Sequence, residues 1–279
     1  MVGGTAVHLL SDGNVKIDGG VVFGQVPKVH WQEWLPPDRR NRVRLGLNCL
    51  LVSTGGRNYL IDTGCGGKHP DSVRDGYGLT TSHLLQSLKA QGIMPQDIHG
   101  VILSSLRFEH TGGCTRWDRR GNLTATFPKA TYYLQSKALE EAVTPNERDM
   151  GLYCPDDFLP LREKGQLKLL DGDTQLAPAL QVRLTGGPSA GHQIVLISHG
   201  GEWVVYLGDL IPTPFHLQPA YISAQDRQPE QTMERKRQVL AEATKSGWLL
   251  VFSHGVDDQS GYLEARNGRS PILRRVPLD

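Results

Sequence analysis

Residues 100–113 read GVILSSLRFEHTGG, and this stretch decides how the rest of the chain is read. Val101, Ile102 and Leu103 form a short apolar run of the kind that makes a buried strand. The polar loop from Ser104 to His110 follows at once, and Thr111-Gly112-Gly113 closes it. A polar loop at the end of a buried strand is where α/β proteins concentrate chemistry.

Working outward, several segments have the same form, an apolar strand ending in a polar or glycine-rich turn. Residues 58–61 lead into Asp62-Thr63-Gly64, residues 203–207 into Gly208-Asp209, and residues 249–252 into Ser253-His254-Gly255. Residues 47–53, 131–134, 167–170, 180–184 and 193–198 also read as strands. Residues 6–10 and 14–18 flank Ser11-Asp12-Gly13 and predict a hairpin, as do the segments around Asn267-Gly268. Helices are predicted over residues 80–91, with Thr80, Thr81 or Ser82 as cap, and over 137–143 and 229–245. The charge run 234–237 reads as a solvated helix face, and the arginines of 39–44 as a wet edge. Residues 19–38, with Trp31 and Trp34, predict an ordered arm, because exposed indoles are costly. The polar connection 144–160 reads as a lid or interface loop.

Composition narrows the class. The 279 residues carry a formal charge of +1, so nothing global attracts nucleic acid or an anionic membrane. Hydrophobic content of 38% with 21% charged residues is that of a globular chain. No apolar run approaches membrane-spanning length and no signal peptide is evident at the start. Cys49, Cys65, Cys114 and Cys154 lack CxxC spacing, which suits core or loop-filling thiols in a reducing cytoplasm. No repeat or linker is visible, so a single domain over 1–279 is expected.

The central stretch resembles the signature of the metallo-β-lactamase superfamily, Thr-His-x-His-x-Asp-His-x-Gly-Gly. Asp62-Thr63-Gly64, the segment 185–193, Leu207-Gly208-Asp209-Leu210 and His254 extend the resemblance, in order and at matching spacing. So do residues 18–28 (DGGVVFGQVPK) and 208–213 (GDLIPT) with His216-Leu217, which match family members close to this chain. The resemblance implies an α+β fold: an αββα sandwich of two mixed sheets with outer helices and the site at one end between them. It also implies a two-metal centre, and here the positions differ. The three histidines of the first metal position fall at Ser105, Arg107 and Pro188. The second position retains Glu109 in place of Asp, with His110, the bridging Asp209 and His254. Asp62 and His192 are then expected to brace the ligands, and His216 to line the pocket.

Two imidazoles and two carboxylates are a reasonable set for one zinc, iron or manganese ion. A hydroxyl, a guanidinium and a proline cannot hold zinc in a three-histidine site. Arg107 is expected to point inward, because the buried carboxylates need a positive partner. A divalent ion about 4 Å from that charge is opposed by roughly 8 kcal/mol at an effective dielectric near 20. The expectation is therefore no metal or one divalent ion, not two, and a pseudo-hydrolase that binds a small molecule, a protein partner or its own copy. The alternative is a single-metal hydrolase of an ester, lactone or thioester, with Asp209 and His110 as its catalytic residues. Ser105 as a nucleophile is disfavoured, since no base but His110 is at hand.

Overall fold

The computed structural model describes residues 4–266 and 269–278. Strands β1 (Ala6–Asp18), β2 (Arg42–Thr54), β3 (Arg57–Ile61) and β4 (Ile98–Ile102) are followed by a small ribbon, β5 (Thr115–Trp117) and β6 (Leu123–Ala125). β7 (Thr131–Gln135) and β8 (Leu167–Leu170) complete a first sheet of order β1-β2-β3-β4-β7-β8, antiparallel at the β1 end and parallel from β3 onward. The second sheet takes β9 (Thr174–Ala177), β10 (Leu180–Leu184), β11 (Gln193–His199), β12 (Glu202–Tyr206), β13 (Leu249–Val251), β14 (Ser260–Arg266) and β15 (Arg269–Arg275) in sequence. Only its β12–β13 pair is parallel. The helices are α1 (Gly19–Phe23), α2 (Lys28–Trp34), α3 (Asp71–Gly76), α4 (Leu84–Ala90), α5 (Phe108–Thr111), α6 (Ser136–Val143), α7 (Pro155–Glu163) and α8 (Pro229–Ser246).

The inner faces meet through β-branched and aliphatic side chains. Leu50, Ile61 and Ile102 of the first sheet pack with Val182, Val195, Val204 and Val251 of the second. The outer faces are covered by helices, because every second residue of a buried central strand points away from the partner sheet. Leu84, Leu88, Leu139, Phe158 and Leu161 close one side, and Val239, Leu240 and Ala243 of α8 close the other. Each such fully buried side chain is worth about 1.5–3 kcal/mol. This is the αββα sandwich. The parallel β3–β4 pair ends at one edge of it, so Asp62 and the Ser104–His110 loop emerge side by side.

Several local expectations change. Residues 6–18 form one strand, not a hairpin, and both halves pair with β2. Three steps from Ser11 to Asn14 face two from Asn48 to Gly46, so one extra residue bulges out. Gly13 at φ 115° permits the bulge, and Asp12 reaches from it to the Gly66 N–H and the Ser82 hydroxyl. Helix α4 starts later than predicted, with His83 at its cap; Asp12 accepts the Leu84 N–H that Thr80, Thr81 or Ser82 was expected to satisfy. Helix α7 begins within the connection 144–160, with Pro155 at its first turn. Lys236 is buried in what reads as a wet face; its ammonium donates to the Gln218 and Tyr221 carbonyls. Arg42 is drawn from the basic edge into a two-toothed pair with Asp38. The Asn267-Gly268 turn lies outside the described residues, while β14 and β15 on either side of it pair antiparallel.

The arm 19–38 is ordered as α1 and α2. Asp18 caps α1 by accepting from the Gly20 and Val21 N–H groups, and buried Trp31 stacks on Phe23 at 5.6 Å. Among the described residues no helix is long and apolar enough to cross a membrane.

Candidate active site

The floor of the site is built on Asp62. Its left-handed backbone (φ 56°) turns the carboxylate under the loop that follows β4. One oxygen accepts the Ser104 N–H at 2.7 Å. The other accepts the Ser104 hydroxyl at 2.6 Å, the Tyr206 hydroxyl at 2.9 Å and His110 Nδ1 at 2.7 Å. Thr63 adds two bonds, from its N–H and its hydroxyl, to the His110 carbonyl. The back of α5 is tied to α7: Lys68 contacts Asp157 at 2.5 Å and the Gly112 carbonyl, and Asp157 accepts the Thr111 hydroxyl.

Above that floor, Glu109, His110 and His254 come together, and Asp209 meets the two imidazoles. His110 Nε2 lies 3.1 Å and His254 Nε2 3.3 Å from the same Asp209 oxygen, Oδ1. The partners assign the tautomers. His110 Nδ1 faces Asp62, and His254 Nδ1 donates to the Gly46 carbonyl at 2.8 Å, so both Nε2 atoms turn toward Asp209. Donor atoms of Glu109, His110 and His254 lie within 4.8 Å of one another. Burial depresses His110, but Asp209 and Asp62 outweigh it and hold its imidazolium well above the usual histidine range. Burial raises Asp209, but His110, His254 and Arg107 hold it well below the carboxylate range.

Arg107 points inward. It is 6% exposed, with Nη1 3.7 Å from Asp209 Oδ2. Nη2 donates to the Gln225 carbonyl at 2.7 Å and Nη1 to its side-chain oxygen at 3.3 Å. Burial works against its charge, and Asp209 and then Glu109 more than restore it. Ser105 Oγ accepts the Arg107 N–H, and among the described residues no base accepts from that hydroxyl. Pro188 lines the same cavity.

His192 sits behind Asp209. It accepts the Asp209 N–H at Nε2 and faces the Thr185 hydroxyl through Nδ1; burial pulls its pKa down to about 4, so the ring is neutral. Gly208 (φ 53°) is required there, since a Cβ would stand 2.6 Å from His192 Nε2. His216 corrects an expectation. It does not line the cavity but stands one layer behind, stacked on Phe23 at 5.1 Å and bonded to Thr213 and the Val22 carbonyl. That stacked, buried setting pushes its pKa down to about 3, burial first and Lys236 second. Cys65 and Cys114 are buried thiols; burial lifts Cys114 to about 12, which leaves no thiolate nucleophile near neutral pH.

The cavity at this end holds about 40 Å³. It is lined by the polar Arg107, Glu109, Asp209, His254 and Gln225 and by the apolar Ile17, Val21, Val22 and Leu45. Sequence reasoning misses Gln225, Tyr206, Thr185 and the Lys68–Asp157 tie. Tyr206 carried a signal, as the inward-facing strand residue three positions before Asp209; Gln225, in an irregular loop, carried none.

The profile of the family described as Metallo-beta-lactamase superfamily matches residues 43–254. The chain belongs to that superfamily. The matched span runs from β2 to His254, so it contains Asp62, the Ser104–His110 loop and Asp209. An N-acyl homoserine lactonase of Bacillus cereus is 26% identical over 178 residues, 60% of this chain and 64% of the lactonase. The lactonase AttM of Rhizobium radiobacter is 31% identical over 121 residues, 40% and 41% of the two chains. The chain thus spans less than two thirds of the length of these curated relatives. Among solved structures, a probable metal-dependent hydrolase from Staphylococcus aureus superposes with a TM-score of 0.88 at 27% identity, covering 99% of both chains. The dizinc quorum-quenching lactonase AidC superposes with a TM-score of 0.77 at 20% identity, over 99% of this chain and 96% of its own, a likeness of fold.

Proposed function

We propose that this chain is a metallo-β-lactamase-fold pseudo-hydrolase, in which an internal guanidinium has replaced the first metal and the remaining pocket serves binding. The observation that carries this reading is the buried Arg107, latched to Gln225 and 3.7 Å from Asp209. The donor set does not fit a two-metal centre. Pro188 offers no side-chain donor, Ser105 is a neutral hydroxyl, and Arg107 is a fixed cation beside the carboxylate that would bridge the ions. A permanent cation there offsets the Asp209 charge without a metal, by charge-assisted contact. The apolar wall and small volume suit a small molecule. The arm and the residues before α7 are the surfaces for any protein partner or second copy.

Elemental analysis of untagged protein, purified without chelator, tests the reading. It predicts well under one equivalent of zinc, iron or manganese, and negligible turnover of lactones, esters and thioesters. Near-stoichiometric tightly held metal would overturn it.

A second reading has its own support. His110 and His254 each commit Nδ1 to a carboxylate or a carbonyl, leaving Nε2 toward one point, which is how metal-ligating histidines are oriented. With Glu109 and Asp209 they would hold one divalent ion. Such an ion supplies Lewis acidity and a bound water of lowered pKa. This chain's Asp209 would then orient the attacking water and its Ile17–Val22 wall would exclude bulk solvent. That reading predicts lactone, ester or thioester hydrolysis lost in His110→Ala and His254→Ala and restored to chelated wild type by metal. Equal turnover in metal-free protein would remove it.

A further inference from the structure

Two buried carboxylate oxygens in the cavity lack a hydrogen bond. Glu109 is 5% exposed, and its Oε2 has no hydrogen-bond partner among the described residues. The nearby cation does not serve it: Arg107 bonds Gln225 and faces Asp209. Asp209 Oδ2 likewise has no hydrogen bond, only the 3.7 Å approach of that guanidinium. His254 turns Nε2 inward because Nδ1 is committed to Gly46. Glu109, Asp209 and His254 all line the same cavity, opposite Val21, Val22 and Leu45. A buried carboxylate without a donor is costly, so the arrangement is complete only when a donor or cation enters.

We propose that this cavity binds a small primary ammonium, held by Glu109 Oε2 and Asp209 Oδ2, with its carbon against the Val21–Leu45 wall. The proposal rests on the reading of the site as metal-free. An ammonium offers donors and no acceptor, which matches the two cavity-lining carboxylate oxygens left without a hydrogen bond, Glu109 Oε2 and Asp209 Oδ2. Among the groups lining the cavity, the Glu109 and Asp209 carboxylates outnumber the Arg107 guanidinium. The size of the ligand follows from the roughly 40 Å³ of free space, room for a head group and one or two carbons. A carboxylate ligand would instead meet Glu109 and Asp209 across the cavity. An alcohol would satisfy one acceptor and leave the charge uncompensated.

The test titrates chelator-dialysed full-length protein, its metal content measured, with ethylammonium, ethanol, acetate and sodium chloride at matched ionic strength, following the Val21 and Val22 methyl signals by NMR. A ligand of three heavy atoms binds at best in the millimolar range. The expected result is saturable millimolar binding of ethylammonium alone, weakened at least about tenfold in Glu109→Gln, the size of one lost charge-assisted contact. The wild-type ranking of the probes decides even where that variant fails to fold. Acetate or ethanol binding as well as ethylammonium, no saturation, or unchanged affinity in a folded Glu109→Gln protein would overturn the proposal. If metal-free protein as purified binds no ammonium, this inference alone fails. If protein as purified holds one equivalent of metal that excludes ethylammonium, the reading of the site as retired fails with it.

Discussion

Asp62 and Glu109 are both buried carboxylates at the same end of the sandwich, and they are treated in opposite ways. Asp62 accepts four hydrogen bonds, from the Ser104 N–H and hydroxyl, Tyr206 and His110. Glu109 Oε2 accepts none. The difference separates a frame from a mouth. The frame beneath the loop is saturated, as a structural group in a low-dielectric interior must be. The mouth is under-satisfied, as a group awaiting a ligand is. The loop after β4 thus rests on a saturated frame, while Arg107 and Pro188 line the cavity it faces.

The largest expected effect breaks the frame. Asp62→Ala strands Ser104, Tyr206 and His110 without their common acceptor, and should cost about 3–5 kcal/mol in denaturant unfolding. A loss below about 1 kcal/mol would mean the frame and the mouth are not distinct. Next is Arg107→Leu, which removes the guanidinium beside Asp209 and the bonds to Gln225. It should cost about 2–3 kcal/mol and raise zinc affinity, because the opposing charge is gone. Unchanged zinc affinity would mean that Arg107 does not act as the internal cation.

Away from both regions, Lys236 sharpens the comparison, since it is buried yet fully bonded. Burial lowers its pKa to about 7 from 10.5, with Asp226 opposing. Between those values the unfolded chain holds a proton the folded one lacks, so this group makes stability rise as pH climbs from about 7 toward 10.5. In Lys236→Met that rise should flatten, with a loss of about 1–2 kcal/mol from the two hydrogen bonds given up. Unfolding midpoints from pH 6 to about 10 check the sign. The smallest effect is expected at Arg237, whose pair with Glu234 is exposed at 3.3 Å. Arg237→Ala should shift stability by less than about 0.5 kcal/mol.

Much of this was legible in the chain. Apolar runs ending in Asp62, Asp209 and His254 are a property of local sequence, and strand ends are where such runs must stop. The inward turn of Arg107 was legible from charge alone, because two buried carboxylates nearby required it. What depended on distant partners was not. Asp12 turns a predicted hairpin into a bulged strand by reaching Gly66 and Ser82. The Gln218 and Tyr221 carbonyls draw Lys236 out of an apparently wet face. Gln225 lies more than one hundred residues from the arginine it clamps, and no local pattern announces it. His216 reads as a pocket residue because it follows the Gly208–Thr213 stretch, but Phe23 from the arm claims its ring.

Anomalous diffraction at the zinc edge, from crystals grown with excess zinc, examines the stand-in cation most directly. The account predicts a guanidinium within about 4 Å of Asp209 and no anomalous peak between Ser105, Arg107 and Pro188. A pair of peaks bridged at Asp209, with the Arg107 side chain swung out to solvent, would contradict it.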